Sequence, residues 1–528
     1  MRQANCDYNK PASAEQARLR FGAADFCWYP RCLLESVRHS TKQRSLWLTL
    51  FLIAAIPRLL GALFLPNAFG DAYVYIRDIG VMSAKMCAGT FAMTDLYGFW
   101  LPLYQFLSAL INIFVGNGFY AGKLVSAVFG VGVCLLIYSI TLRLTAHRTA
   151  ALLAFALIAL NPLHIFYSAS AMTDVPHAFF LLASLYFCLK ERWMLAAIFA
   201  ALAGLTRMES WMFIALIPAI QFFRERRVSL AAVAVLAIPP LFWLYVSWKA
   251  TGNWLAGFVA RQEYHDWLFA ANPTLAHFSL PHIVRDGATL LISADIAVLI
   301  AAFVAGWFVI KPLVRRAHIQ EDVSAIVPAL IFFFATLGMI VLAYLTGAMP
   351  IIFPRYGLIL FTLGIPILGW TLLTMRKRHP QLERRLLISV VAILAFDASV
   401  QLVGSVGLLN QISAQRAVAD YIRAHFQTKS NARIFCDEGT VQALSGIPPE
   451  KFLTSFDAPR DREGFLNYLK EKNVEYLVFV SNQDSAPVRL FPDLEYGDYN
   501  QSFEPVMNSH TEFLYTSTWL YRVHTPGP

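Results

Sequence analysis

Asp71 opens the run GDAYVYIRD, just after an apolar stretch (45–66) long enough to cross a bilayer. Asp174 stands in SAMTDVPH, Arg207 and Glu209 in LTRMESW, and Arg355 and Tyr356 in FPRYG, each at the end of another apolar run. Arg58 lies inside the first run, and Arg77, Asp78 and Lys85 follow Asp71 closely. A positioned carboxylate can take the proton of a hydroxyl that is about to attack. Guanidinium and ammonium groups can hold a phosphate and stabilise charge as it develops. Both kinds gathered at one membrane surface suit group transfer from a lipid phosphate to a hydroxyl acceptor. Each residue also has a plainer use. Asp71 could be a hydrated loop carboxylate, and Thr173 or Asp174 could cap a helix begun by Pro176. Arg207 and Glu209 could pair locally, and Arg355 could snorkel to the headgroups. Arg58 could do the same or neutralise an anion held between helices.

The elements that must position these residues are membrane helices. Of 528 residues, 57% are hydrophobic and 15% charged, against about 45–50% and about 25% in a soluble domain. Mean hydropathy is +0.52. Apolar runs fall near 45–65, 119–142, 149–166, 175–189, 193–206, 211–223, 228–246, 288–310, 324–347, 356–375 and 386–408. They predict an α-helical multi-pass membrane protein with about eleven spans, several short enough to be tilted or re-entrant. The basic segments RLTAHR (143–148), KER (190–192), RERR (224–227), KPLVRRAH (311–318) and MRKRHPQLERR (375–385) occupy every second junction. They fall on the same side as the basic residues 1–44, which lack the apolar core of a signal peptide. Short Lys/Arg-rich loops face the cytoplasm, so Asp71, Asp174, Glu209 and Arg355 are expected on the outer face. These loops account for the formal net charge of +9 without a nucleic-acid partner.

The outer junctions include 66–118, where GFWLPLYQFLSALINIFVGNG (98–118) reads as a helix lying in the interface. From residue 409 the composition changes and no run is long enough to span. ARIFCDE (432–438), VEYLVFV (474–480) and FLYTSTWLYRV (513–523) read as strands, and DREGFLNYLKEKN (461–473) as an amphipathic helix. Residues 409–528 are thus expected to form a small C-terminal α/β domain outside the membrane, after a spanning domain over 45–408. Seven cysteines form no CxxC and no metal-ligand spacing. Cys87 and Cys436 both fall on the outer face, where a disulfide between them is open.

An acidic motif after the first span, then LPLY (101–104), SASAMTDVPHAFFLLASLYF (168–187) and LTRMESW, resembles the GT-C glycosyltransferases over roughly residues 45–375. These are the polyprenyl-phosphate-sugar-dependent enzymes that include protein O-mannosyltransferases and the aminoarabinose and rhizobial galacturonosyl transferases. The resemblance implies an inverting transfer of a hexosyl or pentosyl group to an acceptor hydroxyl on a glycan, lipid or protein. Asp71 would be the base, Asp174 a second catalytic-site acid, and Arg355 and Arg207 the phosphate cations, with Arg58, Arg77 and Lys85 behind them. Glu209 and Tyr356 would complete the substrate site. Members often carry paired acids in the first outer loop, whereas Gly70 and Ala72 flank Asp71 here. A divalent cation is compatible with the class, but the sequence offers no ligand cluster for it. A bacterial cell membrane is the expected location. The rival class is a multi-pass transporter or flippase with an outer sensing domain. Its polar groups would be expected near the midplane of repeated halves, and no repeat is evident.

Overall fold

The computed structural model describes residues 30–67, 70–271, 279–315, 321–428, 431–456, 458–481, 485–497, 502–511 and 516–524. Most of the basic N-terminal segment therefore lies outside the described residues. The chain divides into two compact units, residues 1–50 and 51–528, and everything after Phe51 belongs to the second.

The helices of the spanning part are α1 (Pro30–Phe64), α2 (Gly70–Cys87), α3 (Leu103–Val115), α4 (Gly118–Thr145), α5 (Arg148–Leu160), α6 (Pro162–Ser168), α7 (Asp174–Leu189), α8 (Trp193–Thr206), α9 (Phe213–Glu225), α10 (Leu230–Thr251), α11 (Ala256–Ala271), α12 (Leu280–Ala294), α13 (Ile296–Val314), α14 (Glu321–Leu345), α15 (Pro354–Arg378) and α16 (Glu383–His425). Among the described residues six helices are long and apolar enough to cross a membrane. There are up to eight if the bent pairs α5–α6 (60°) and α12–α13 (81°) each count as one span. The protein is multi-pass, but about eleven full-length spans are not reached. The difference lies in α7, α8 and α9, with 16, 14 and 13 residues. At about 1.5 Å per residue such helices are shorter than the ~30 Å hydrocarbon core.

The stretch 70–118 is mostly helical rather than a loop. In α2, Ala72, Tyr75, Ile79 and Met82 are buried at three- and four-residue spacing, which is one face of a helix. Asp71 therefore sits in a first helical turn, where the helix dipole favours a carboxylate. The 13-residue α3 is too short to span.

The C-terminal part is a five-stranded sheet of order β2–β1–β3–β5–β4. β1 (Arg433–Phe435) runs parallel to β2 (Phe452–Leu453) and β3 (Val474–Val480). β5 (Thr516–Val523) is antiparallel to β3 and to the edge strand β4 (Phe503–Thr511). One face packs on the end of α16 through Val418, Ala419 and Ile422. The other receives Phe465 and Leu469 of the helix Arg462–Glu471. Three strands and this helix match the sequence expectation. β4 was not expected, because Pro505 and the polar stretch after it weaken the strand signal, as suits an irregular edge. Residue 409 falls inside α16, so one continuous helix joins membrane and sheet. A short helix, Gly439–Ser445, packs against α2. Cys87 and Cys436 are both free, Cys87 exposed and Cys436 buried in the sheet core, so they do not form the disulfide considered above.

Close approach of α12 and α15 fixes the start of α15. A Cβ on Gly357 would lie 2.7 Å from the backbone nitrogen of Ala294 and closer still to the Ser293 hydroxyl. Gly357→Val should therefore lower stability by about 1–3 kcal/mol through overpacking, read as a lower Tm of the detergent-purified protein. An unchanged Tm would mean that the two helices can separate freely.

Candidate active site

Four chain segments meet where α1, α6 and α8 end and α2, α7 and α15 begin. Asp71 comes from the first turn of α2, and Arg355 from the first turn of α15, just after Pro354. The Arg355 Nη1 donates to Asp71 Oδ2 at 2.6 Å. Asp174 is the first residue of α7, and its preceding residue Thr173 makes no side-chain cap. Asp174 is fully buried and accepts from Arg207 Nη1 at 2.7 Å. Arg207, in extended conformation after α8, also donates through Nη2 to Glu209 Oε1 at 2.6 Å. The local Arg207–Glu209 pair thus exists, but Asp174, from another helix, shares its guanidinium.

Tyr356 links the two ion pairs. Its ring lies 5.5 Å from the guanidinium of Arg207 and 5.5 Å from that of Arg355, a favourable cation–π distance. Beneath them lies Tyr75, whose phenol is pushed well above its usual range, first by burial. The charges of Asp71, Arg355, Arg207 and Asp174 all act on Tyr75, so the four groups share one neighbourhood. Burial would also raise the Glu209 carboxyl, but the Arg207 charge and hydrogen bonds outweigh it and hold Glu209 at about 2. Among the described residues the buried Nε atoms of Arg355 and Arg261 have no partner, which leaves donor capacity in the cluster.

Arg261 was not singled out in the sequence. It comes from α11, donates to the Phe99 carbonyl at 2.7 Å, and lies 5.1 Å from the Phe99 ring. The charges of Glu209 and Arg207 act on it, as do Tyr75 and Tyr356. An arginine within the long segment 247–287 carries no local signal of this. His177 was also missed. Its Nε2 lies 2.7 Å from Ser210 Oγ and ties the turn bearing Glu209 to α7.

Other expected site residues are not brought here. Arg58 is wholly buried, but its guanidinium donates to the carbonyls of Ala54, Ile158 and Ala159 and to His164 Nδ1. The last carbonyls of α5 have no helical partner at the bend, and Arg58 satisfies two of them. Lys123, buried in α4, serves the end of α1 in the same way, through the carbonyls of Ala62 and Leu65. Arg77 forms an exposed pair with Asp78 at 3.3 Å, and Lys85 pairs with Asp95. Arg58, Arg77 and Lys85, all expected at the site, are thus spent elsewhere.

The donor set does not fit a divalent cation. Asp71, Asp174 and Glu209 each already face a guanidinium. Among the described residues no three His, Cys, Asp or Glu side chains gather as a metal site.

The shared guanidinium makes Arg207 a stability determinant. Arg207→Met should cost about 3–5 kcal/mol, because it leaves Asp174 and Glu209 without a counter-charge, and Tm in detergent measures this. Glu209 has a folded-state pKa below its ordinary 4.5. Its contribution to stability is therefore present above about pH 4.5 and is lost as pH falls toward about 2. Glu209→Gln should flatten that part of the acid-unfolding profile. A profile identical to that of the unaltered protein would contradict the pairing.

Residues 92–220 match the family model described as dolichyl-phosphate-mannose-protein mannosyltransferase. No curated protein matches the sequence. Among solved structures, the fold is similar to ArnT from Cupriavidus metallidurans bound to undecaprenyl phosphate, with TM-score 0.55 and 14% identity over 91% of this chain and 99% of that one. ArnT from the same organism in the apo state gives TM-score 0.49 and 13% identity, over 91% and 98% of the two chains. The oligosaccharyltransferase of Archaeoglobus fulgidus gives 0.46 and 12%, over 89% and 72%. The chain thus shares the fold of ArnT over most of its length, and residues 92–220 carry the match to the mannosyltransferase model.

Proposed function

We propose that the chain moves a sugar from a polyprenyl-phosphate donor to an acceptor hydroxyl on the outer, periplasmic or luminal, face of a membrane, with inversion. The observation that carries this reading is the continuous contact Asp71–Arg355–Tyr356–Arg207–Asp174, with Glu209 closing it. It joins a half-exposed carboxylate to two nearly buried guanidiniums at one end of the bundle. The undecaprenyl phosphate bound to ArnT, the relative in fold, supports a lipid-phosphate donor.

The helices that carry the cluster support an orientation. Asp174 begins α7, and Lys190 and Arg192 follow its end; Arg355 begins α15, and Arg376, Lys377 and Arg378 end it. The cluster and the basic segments thus lie at opposite ends of the same helices. The positive-inside rule puts the cluster outside, the N-terminus in the cytoplasm and the C-terminal sheet outside. A bacterial inner membrane suits this arrangement.

In the resting protein Arg355 occupies Asp71. A donor phosphate competes for Arg355, with Arg207 and Arg261 adding charge nearby, and so releases an Asp71 oxygen. The acceptor hydroxyl gives its proton to that oxygen as it attacks the anomeric carbon. The bond from that carbon to the phosphate oxygen breaks, and polyprenyl phosphate leaves with the electron pair. Cations fixed beforehand stabilise the charge that develops there. Asp174 and Glu209 hold Arg207 in place.

Asp71→Asn should lower transfer by about 10²–10⁴-fold, the usual worth of a positioned base, while folding and membrane insertion stay intact. Arg355→Gln should raise the donor KM. The assay is consumption of a lipid-linked sugar by purified protein, beside a proteoliposome flux measurement. Full transfer by Asp71→Asn removes Asp71 as the base, and donor flux without product favours a transporter.

A further inference from the structure

A second polar layer lies deep in the spanning helices and takes no part in the cluster described above. Both bent pairs contribute to it. Asn161, at the α5–α6 bend, donates through Nδ2 to Gln401 Oε1 of α16 at 2.9 Å. Gln401 Nε2 donates to the Ile292 carbonyl near the end of α12 at 2.8 Å. One turn earlier on α16, Asp397 Oδ2 accepts from the backbone N–H of Ile296 at 3.0 Å. Asp295 itself forms the α12–α13 bend, with φ +67°, and its Oδ1 accepts from Ala297 N–H at 2.9 Å. Two carboxylates therefore converge on the first turn of α13. Asp295 is 2% exposed and Asp397 0%. The second oxygen of Asp397, Oδ1, is buried and has no hydrogen-bond partner among the described residues.

The amides of this layer have their partners, whereas the acids lack a counter-charge. Neither Asp295 nor Asp397 forms an ion pair among the described residues. At the α5–α6 bend the layer contributes Asn161, while Arg58 and His164 there bond to each other and Arg58 to the carbonyls of Ala54, Ile158 and Ala159, and to neither acid; α15 has no ionisable side chain between Tyr356 and Arg376; α16 contributes Gln401. On α12, Arg285 and Asp286 are occupied with each other. A helix N-terminus supplies only about half a positive charge, which does not balance two carboxylates. Like-charged carboxylates that share a dry site cannot both ionise, and one keeps its proton.

We propose that Asp295 and Asp397 form an intramembrane proton-binding site, separate from the transfer cluster, that holds one proton between two carboxyl groups at neutral pH. Asp295 also lines an apolar cavity of about 550 Å³ between α5, α15 and α16. The far end of that cavity carries His147, Arg376 and Glu383. The cavity reaches Asp295 and is lined mostly by apolar side chains, so it gives that acid a dry surrounding on the side away from the transfer cluster. Ionisable groups buried in a membrane bundle commonly mark such sites.

The test is labelling of the full chain, in detergent and in lipid, with dicyclohexylcarbodiimide, which modifies protonated carboxyls in apolar surroundings. Adducts are mapped by mass spectrometry. Between about pH 6 and about pH 8 an adduct on Asp295 is expected, with ion-paired Asp174 unlabelled as the internal reference. Asp397→Asn removes the neighbouring charge and should move the Asp295 labelling midpoint down by about one pH unit or more. No adduct on either aspartate in this range, or an unmoved midpoint in Asp397→Asn, overturns the site. Suppression of labelling by sodium at constant pH would mean that the pair holds a metal cation, which overturns the proton assignment. If Asp397→Asn does not fold, the infrared carboxylic-acid stretch of the unaltered protein decides, and its absence overturns the proposal.

Discussion

The sharing of Arg207 between Asp174 and Glu209 is the constraint on which the site depends. A guanidinium 12% exposed and a carboxylate fully out of contact with solvent are each costly alone at a membrane boundary, since desolvation of an unpaired ion is severe. Together they form a stable unit only if α7, α8 and the turn after α8 hold one geometry. Asp174 fixes the start of α7, and the His177–Ser210 contact fixes the turn that carries Glu209. Tyr356 then transmits the arrangement to Arg355 and on to Asp71. The shortness of α7 and α8 has a structural consequence here. It brings Asp174, at the start of α7, and Arg207, just past the end of α8, into contact at 2.7 Å.

Cations inside the apolar bundle follow a different logic. Arg58 and Lys123 are buried in helices long enough to span, and both are used on carbonyls that a helix end leaves without a partner. Water cannot supply those hydrogen bonds at that depth, so a side chain must. The two bends show the same requirement with opposite sign. At α5–α6 an arginine meets orphaned carbonyls, and at α12–α13 two aspartates meet orphaned N–H groups. The first arrangement is electrically reasonable, because the carbonyl end of a helix welcomes a cation. Fully ionised, the second would carry more negative charge than a helix N-terminus balances, and that excess distinguishes it from simple capping.

The C-terminal sheet is joined to this machinery rather than tethered beside it. α16 runs unbroken from the spanning region into the sheet core, where Val418, Ala419 and Ile422 are buried. The helix Gly439–Ser445 packs on α2, whose first turn carries Asp71. The sheet thereby supports the element that positions the half-exposed carboxylate of the cluster. A carboxylate presented from a packed helix keeps its position better than one on a free loop.

Much of this was legible in the sequence. The apolar runs located nearly every spanning helix, and the alternation of basic segments put Asp71, Asp174, Glu209 and Arg355 at the same ends of their helices. These are local properties of composition and period, which a linear chain displays directly. Helix length was less legible, because an apolar run does not say where capping and packing will stop a helix. Partner choice was not legible at all. Asp71 and Arg355 are 284 positions apart, and Arg58 and Arg355 look alike as arginines near the ends of apolar runs. Arg261 carried no local mark. The sequence by itself determined a multi-pass membrane protein with its unusual charges on one face. Only the tertiary structure decided which of those charges meet, because an ion pair depends on distances between helices and hydropathy contains no such distances.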